Sequence, residues 1–86
     1  MMEEEQAIVK DALEFIKATG GTGVLKTRLF DAVRNADGSR LTLEEQDAIF
    51  SLLVKRGWIE YHLDQLWHNK RWCLTERGLT AYEGMC

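Results

Sequence analysis

Three groups of residues in this 86-residue chain have side chains and spacing that bear on chemistry. Gly20 to Thr27 reads G-G-T-G-V-L-K-T and comes close to a phosphate-binding G-x-x-x-x-G-K-T loop. Leu25 stands where the glycine before the lysine belongs, and its side chain bars the backbone from phosphate; an amphipathic helix, not a buried strand, precedes it. Asn35, Asp37 and Ser39 fall at positions 1, 3 and 5 of a calcium loop, but Arg40 replaces the sharp-turn glycine and Gln46 the bidentate glutamate. His62, His68 and Cys73 are metal-ligand types whose spacing matches no paired zinc pattern. No Ser, His and Asp follow one another in a recognisable catalytic order. The residues therefore predict no enzyme activity, no metal or other cofactor, and no evident small-molecule substrate.

What remains is charge and exposed aromatic surface. Eleven Lys and Arg against fourteen Asp and Glu leave a net charge of −3 and an isoelectric point near 5.3, so no overall basic field draws in nucleic acid or anionic lipid. Any such contact comes from a local patch. Lys26, Arg28, Arg34 and Arg40 outnumber Asp31 and Asp37 between Gly20 and Leu41, and His68, Lys70 and Arg71 follow downstream. The first seventeen residues are the reverse, with Glu3, Glu4, Glu5, Asp11 and Glu14 against Lys10 and Lys17. Trp67, between Leu66 and His68, has three readings: packing back onto the domain, anchoring a protein partner, or stacking on a base or sugar.

The elements that place these side chains are legible in the period of the apolar residues. Ile8, Val9, Ala12, Leu13, Phe15 and Ile16 predict an amphipathic helix from Glu3 to Thr19, stopped by Gly20-Gly21. A strand stub at Thr22-Gly23-Val24 precedes a short second helix carrying Leu25, Leu29, Ala32, Val33 and Ala36, ended by Asn35-Ala36-Asp37-Gly38. Thr42-Leu43-Glu44-Glu45 is a capping box, opening a third helix with Ile49, Leu52 and Leu53 inward and Lys55, Arg56 and Gly57 at its close. Thereafter the period drops to two. Ile59, Tyr61 and Leu63 alternate with polar residues, as do Trp72 and Leu74, predicting an antiparallel hairpin with Ile59 opposite Leu74 and a loop within Asp64 to Lys70. Trp58 and Trp72 are read as strand residues packing on the sheet face or the first helix, and Thr75 to Tyr82 as a final short helical turn.

With 45% hydrophobic and 29% charged residues, the chain is expected to be one domain over residues 1–86. Cys73 and Cys86 are too few for a disulfide framework, and no apolar run approaches the roughly 20 residues of a membrane span, so free thiols and a cytoplasmic location are expected.

The order helix, strand stub, helix, capped helix, hairpin resembles a winged helix-turn-helix domain, as do two segments. Leu52-Leu53-Val54-Lys55-Arg56-Gly57-Trp58-Ile59 is similar to the end of a winged-helix third helix entering its first wing strand. Leu74-Thr75-Glu76-Arg77-Gly78 is similar to the L-T-x-x-G segment that closes the wing in many small bacterial and archaeal regulators. The fold expected is α+β, mainly α, with three helices, a two-stranded wing and a short C-terminal helix. The function this implies is transcription regulation by a homodimer that reads duplex DNA. Ser51 and Lys55 of the third helix would face the groove, Lys26, Arg28 and Arg40 the phosphates, and Lys70 and Arg71 would lie on the wing.

A rotation of 100° per residue places Glu44, Asp47, Ser51, Val54 and Lys55 on the outward side of that helix, and the two acids oppose a phosphate field. Glu44 also serves the positive helix end. The alternative is a protein-interaction module, an assembly subunit or an inhibitor of nucleic-acid machinery, that binds through Leu43, Glu44, Asp47, Phe50, Val54 and Trp67. Leu43, Phe50 and Val54 then either pack under the wing or present a partner surface.

Overall fold

The computed structural model describes residues 3–85, with side chains described from Glu5 onward; the dipole role expected of Glu3 and Glu4 and the thiol of Cys86 lie outside the described residues. The first helix, α1 (Glu3–Ala18), turns Ile8, Val9, Ala12, Leu13 and Ile16 inward and leaves Asp11, Glu14 and Lys17 exposed. Thr19 closes it by donating its hydroxyl to the Ile16 carbonyl at 2.6 Å. A single 3₁₀ turn (Gly20–Thr22) follows, and Val24 then exchanges both backbone hydrogen bonds with Trp72, at 3.0 and 2.8 Å. The expected strand stub is thus one residue paired with the second hairpin strand.

The second helix, α2 (Lys26–Ala32), is shorter than its apolar pattern implies. Val33 and Ala36 continue the helical period in sequence, yet Val33 is extended (φ −86°, ψ 126°) and buried. The Asp37 carboxylate accepts from both the backbone N–H and the hydroxyl of Ser39, a local turn that competes with helix. These two bonds, the hydroxyl's first, also hold the Asp37 carboxyl below its ordinary pKa. Arg34 and Arg40 are bridged across this turn.

The third helix, α3 (Leu43–Lys55), is capped at both ends by local chemistry. Thr42 Oγ1 accepts from Glu45 N–H at 3.1 Å, and Glu45 Oε1 accepts from Thr42 N–H at 2.9 Å. At the far end Gly57 takes φ +71°, so that its N–H reaches the Val54 carbonyl and the Trp58 N–H reaches that of Leu53. The chain then enters β1 (Ile59–Leu63), which pairs antiparallel with β2 (Lys70–Leu74) in the register Ile59↔Leu74, Tyr61↔Trp72, Leu63↔Lys70. The final element, α4 (Glu76–Met85), is a ten-residue helix packed on α1 and β2, longer than the turn expected. Gly78 in its first turn does not stop it.

The described residues thus form an α+β arrangement, mainly α, of four helices and one two-stranded hairpin. Phe30, Leu13, Ile16, Leu29, Leu53 and Val9 are fully buried at the centre of one apolar cluster drawn from α1, α2, α3 and β1. Among the described residues no helix is long and apolar enough to cross a membrane.

Gly78 lies where α4 crosses the start of β1, and a methyl group there would run into the Trp58 carbonyl and the Leu74 side chain, 2.8 Å away. Gly78→Ala is expected to cost about 1–3 kcal/mol by overpacking, against a total of roughly 4–13 kcal/mol for a domain of this length. A lower urea midpoint with an unchanged slope checks this; an unchanged midpoint counts against the close crossing.

Candidate functional site

Leu43, Asp47, Phe50 and Val54 recur at intervals of four, three and four, which sets them on one stripe of α3. The register of the hairpin brings Trp72 and Tyr61 together on the face of the sheet beside this stripe. Phe50 meets Trp72 edge to face (centroids 4.7 Å apart, planes at 88°) and Phe30 at 6.3 Å, while Trp72 lies against Tyr61 at 5.1 Å. A lysine stands at each end: Lys26 Nζ lies 4.7 Å from the Phe50 ring centre, and Lys70 Nζ 4.7 Å from that of Tyr61. The result is a string, Lys26–Phe50–Trp72–Tyr61–Lys70, that runs through α2, α3, β2 and β1. Each aromatic pair is worth about 0.5–1.5 kcal/mol beyond its buried area, and each exposed cation–π contact about 0.5–1.

The string settles part of the open reading of the apolar edge. Phe50 is half-buried beneath the hairpin, whereas Leu43 (78% exposed) and Val54 remain in water. Trp67 does not pack back: it is 71% exposed, beside Leu66 at 82%. Tyr61 and Leu63, read in the sequence only as alternating strand residues, are also half-exposed. The signal for them was the small size of the sheet, since two strands cannot cover every alternating apolar position.

The cations are divided. Lys26 forms an ion pair with Asp47 at 3.2 Å, so the carboxylate on the outward face of α3 has a matching charge from α2. Arg40 pairs with Asp31 at 2.6 Å. Arg71 Nε pairs with Asp64 Oδ2 at 3.1 Å, and the register sets Arg71 opposite His62, on the sheet face away from Lys70 and Trp72. Arg28, Ser51, Lys55 and Glu44 are exposed, and Arg28, Lys55 and Glu44 have no ion pair among the described residues. Lys70 and Arg71 are neighbours in sequence yet serve different faces.

Asp64 organises the hairpin loop. Its carboxylate accepts from the backbone N–H groups of Leu66 (2.8 Å) and Trp67 (3.3 Å) as well as from Arg71, and its carbonyl accepts from His68 N–H at 2.8 Å. His68 adopts φ +56°, the left-handed turn that brings Asn69 back to pair with Asp64. The Leu66 N–H and then the Arg71 guanidinium hold the Asp64 carboxyl below its ordinary pKa. Trp67 is therefore an exposed ring on an anchored loop.

On the opposite face Cys73 Sγ lies 3.6 Å from His62 Nδ1, and burial, then the charge of Glu60, push the thiol pKa up. A raised pKa disfavours the thiolate that nucleophilic or metal chemistry needs. Among the described residues no group of three or more His, Cys, Asp or Glu could hold a metal ion. No family model, curated protein or solved structure matches the chain.

Because the folded Asp64 pKa lies below its unfolded value of about 3.9, its stabilising bonds are in place above that pH and are lost as pH falls through the lower folded value. Asp64→Ala should therefore lower the amide-exchange protection factors of Leu66 and Trp67 more than tenfold at neutral pH, and acidifying the unmodified protein through the folded Asp64 pKa, well below about 3.9, should lower the same protection factors. Exchange rates followed by NMR check both. Unchanged protection at these two amides would show that the loop is ordered by something else.

Proposed function

We propose that this chain is a winged-helix module that binds duplex DNA, with α3 as its groove-facing helix and the hairpin as its wing. The observation that carries this reading is the Lys26–Asp47 pair. It matches the acid that most opposes phosphate on the outward face of α3, and leaves Ser51 and Lys55 there, with Lys70 on the neighbouring hairpin face. The pairing of Val24 with Trp72, beyond the two-stranded hairpin, supports the winged-helix assignment because it falls where the strand stub at Thr22-Gly23-Val24 was expected.

In this mechanism Ser51 reaches base edges, Lys55 and Lys70 take phosphates on either side of the groove, and Arg28 adds a backbone contact from α2. The aromatic string holds the spacing between helix and wing. Arg40 and Arg71, already paired with Asp31 and Asp64, contribute less than their charge suggests. With Arg28, Lys55 and Lys70 as the cations of the proposed surface that lie outside these ion pairs, about three phosphates are neutralised, and the logarithmic salt slope should be about −2.7.

A second reading is favoured by a separate observation: Leu43, Val54, Leu66 and Trp67 are large apolar residues left in water, with Glu44 and Asp47 beside the first two. A protein partner with an apolar centre and a basic rim would cover them, and Trp67 would be its anchor.

Fluorescence anisotropy of a random duplex of about 25 base pairs separates the readings. The DNA reading expects affinity to fall about 40-fold between 50 and 200 mM salt, and to vanish in Lys55→Glu/Lys70→Glu, while Trp67→Ala costs little. No binding at 50 mM salt overturns it in favour of the protein-docking surface.

A further inference from the structure

The outer edge of the hairpin is unprotected and matches itself. Trp72 spends its own N–H and C=O on Val24, so the bonds between β1 and β2 run through the alternate pairs Glu60–Cys73 and His62–Arg71. The same parity holds at both ends, where Thr75 N–H bonds Trp58 O and Asp64 N–H bonds Asn69 O. The N–H and C=O groups of Ile59, Tyr61 and Leu63 consequently point away from β2, and nothing among the described residues bonds to them. Glu60, Tyr61, His62 and Leu63 are all exposed. Edge strands are usually blunted by Pro, an edge Lys, a bulge or a covering element; β1 has no Pro, Lys or bulge, and beyond Ile59, which is buried, its residues are uncovered.

We infer that β1 pairs antiparallel with β1 of a second copy of this chain about a two-fold axis at Tyr61. The order Ile59-Glu60-Tyr61-His62-Leu63 is what carries this. Pairing about Tyr61 sets Ile59 opposite the second copy's Leu63, Tyr61 opposite Tyr61, and Glu60 opposite His62, so apolar meets apolar on one face and acid meets imidazole on the other. Residues 59, 61 and 63 of one copy then face residues 63, 61 and 59 of the other, and the uncovered N–H and C=O groups of the two Tyr61 residues meet at the centre. A slip of the register one way places Glu60 on Glu60; the other way places it on Asp64 and His62 on His62. Side-chain chemistry and backbone parity select the same alignment. The contact is small for a stable dimer, so association belongs in the range of weak, transient complexes. Its backbone bonds and its Glu60–His62 pairs use neither Lys55 nor Lys70, so it does not rest on the DNA reading, although Lys70 lies over the Tyr61 ring.

Sedimentation equilibrium from 10 to 500 µM, with far-UV circular dichroism to confirm folding, tests this. Wild type should dimerise. His62→Glu, which opposes Glu to Glu60 twice, and Glu60→Lys, which opposes Lys to His62 twice, should each weaken association at least fivefold, and the double variant Glu60→Lys/His62→Glu should restore it. Tyr61→Pro removes the central outward N–H without touching the β1–β2 ladder and should abolish association. A monomer at 500 µM overturns the inference. A dimer indifferent to the single variants, or one not restored in the double variant, overturns it equally.

Discussion

Thr75 takes both free carbonyls at the junction of the molecule. Its hydroxyl donates to the Gly57 carbonyl at 2.6 Å and its N–H to the Trp58 carbonyl at 3.0 Å, while the same Oγ1 accepts from Gly78 N–H and caps α4. One residue thereby joins the end of α3, the base of the hairpin and the start of the last helix. The register of the sheet follows, since a Trp58–Thr75 pair makes Ile59 oppose Leu74 and Tyr61 oppose Trp72. The aromatic string depends on that register. A shift of one residue would turn Trp72 away from Phe50 and bring Cys73 or Arg71 to the face beside α3.

The charge arrangement depends on the same packing. Lys26 reaches both Asp47 and the Phe50 ring because α2 crosses α3 at that level, where Phe30 meets Phe50. Exposed ion pairs of this kind contribute about 0–1 kcal/mol each, so the Lys26–Asp47 and Arg40–Asp31 pairs do little to hold the fold. Their effect is on the surface, where they leave the chain with fewer available cations than its composition contains. Arg71 shows the point best: it orders the loop that presents Trp67, and in doing so is withdrawn from the face where Lys70 lies.

Sequence alone determined the parts governed by neighbours within about four residues. The capping box at Thr42–Glu45, the stop at Gly57, the apolar stripe of α1 and the alternation of Ile59, Tyr61 and Leu63 are local signals, and each corresponds to an observed element. Where two local signals competed, the pattern misled: Val33 and Ala36 extend the period of α2, but burial of an extended Val33 and the Asp37–Ser39 turn end the helix at Ala32. Gly78 read as the end of the L-T-x-x-G segment; its packing role, as the residue small enough to let α4 pass the Trp58 carbonyl, came only from the structure. Which cations are free, which apolar residues stay wet, and which face of the hairpin Arg71 joins were decided only by tertiary structure. Lys26 and Asp47 are 21 residues apart and meet only because two helices cross, a fact that no periodicity in the chain encodes.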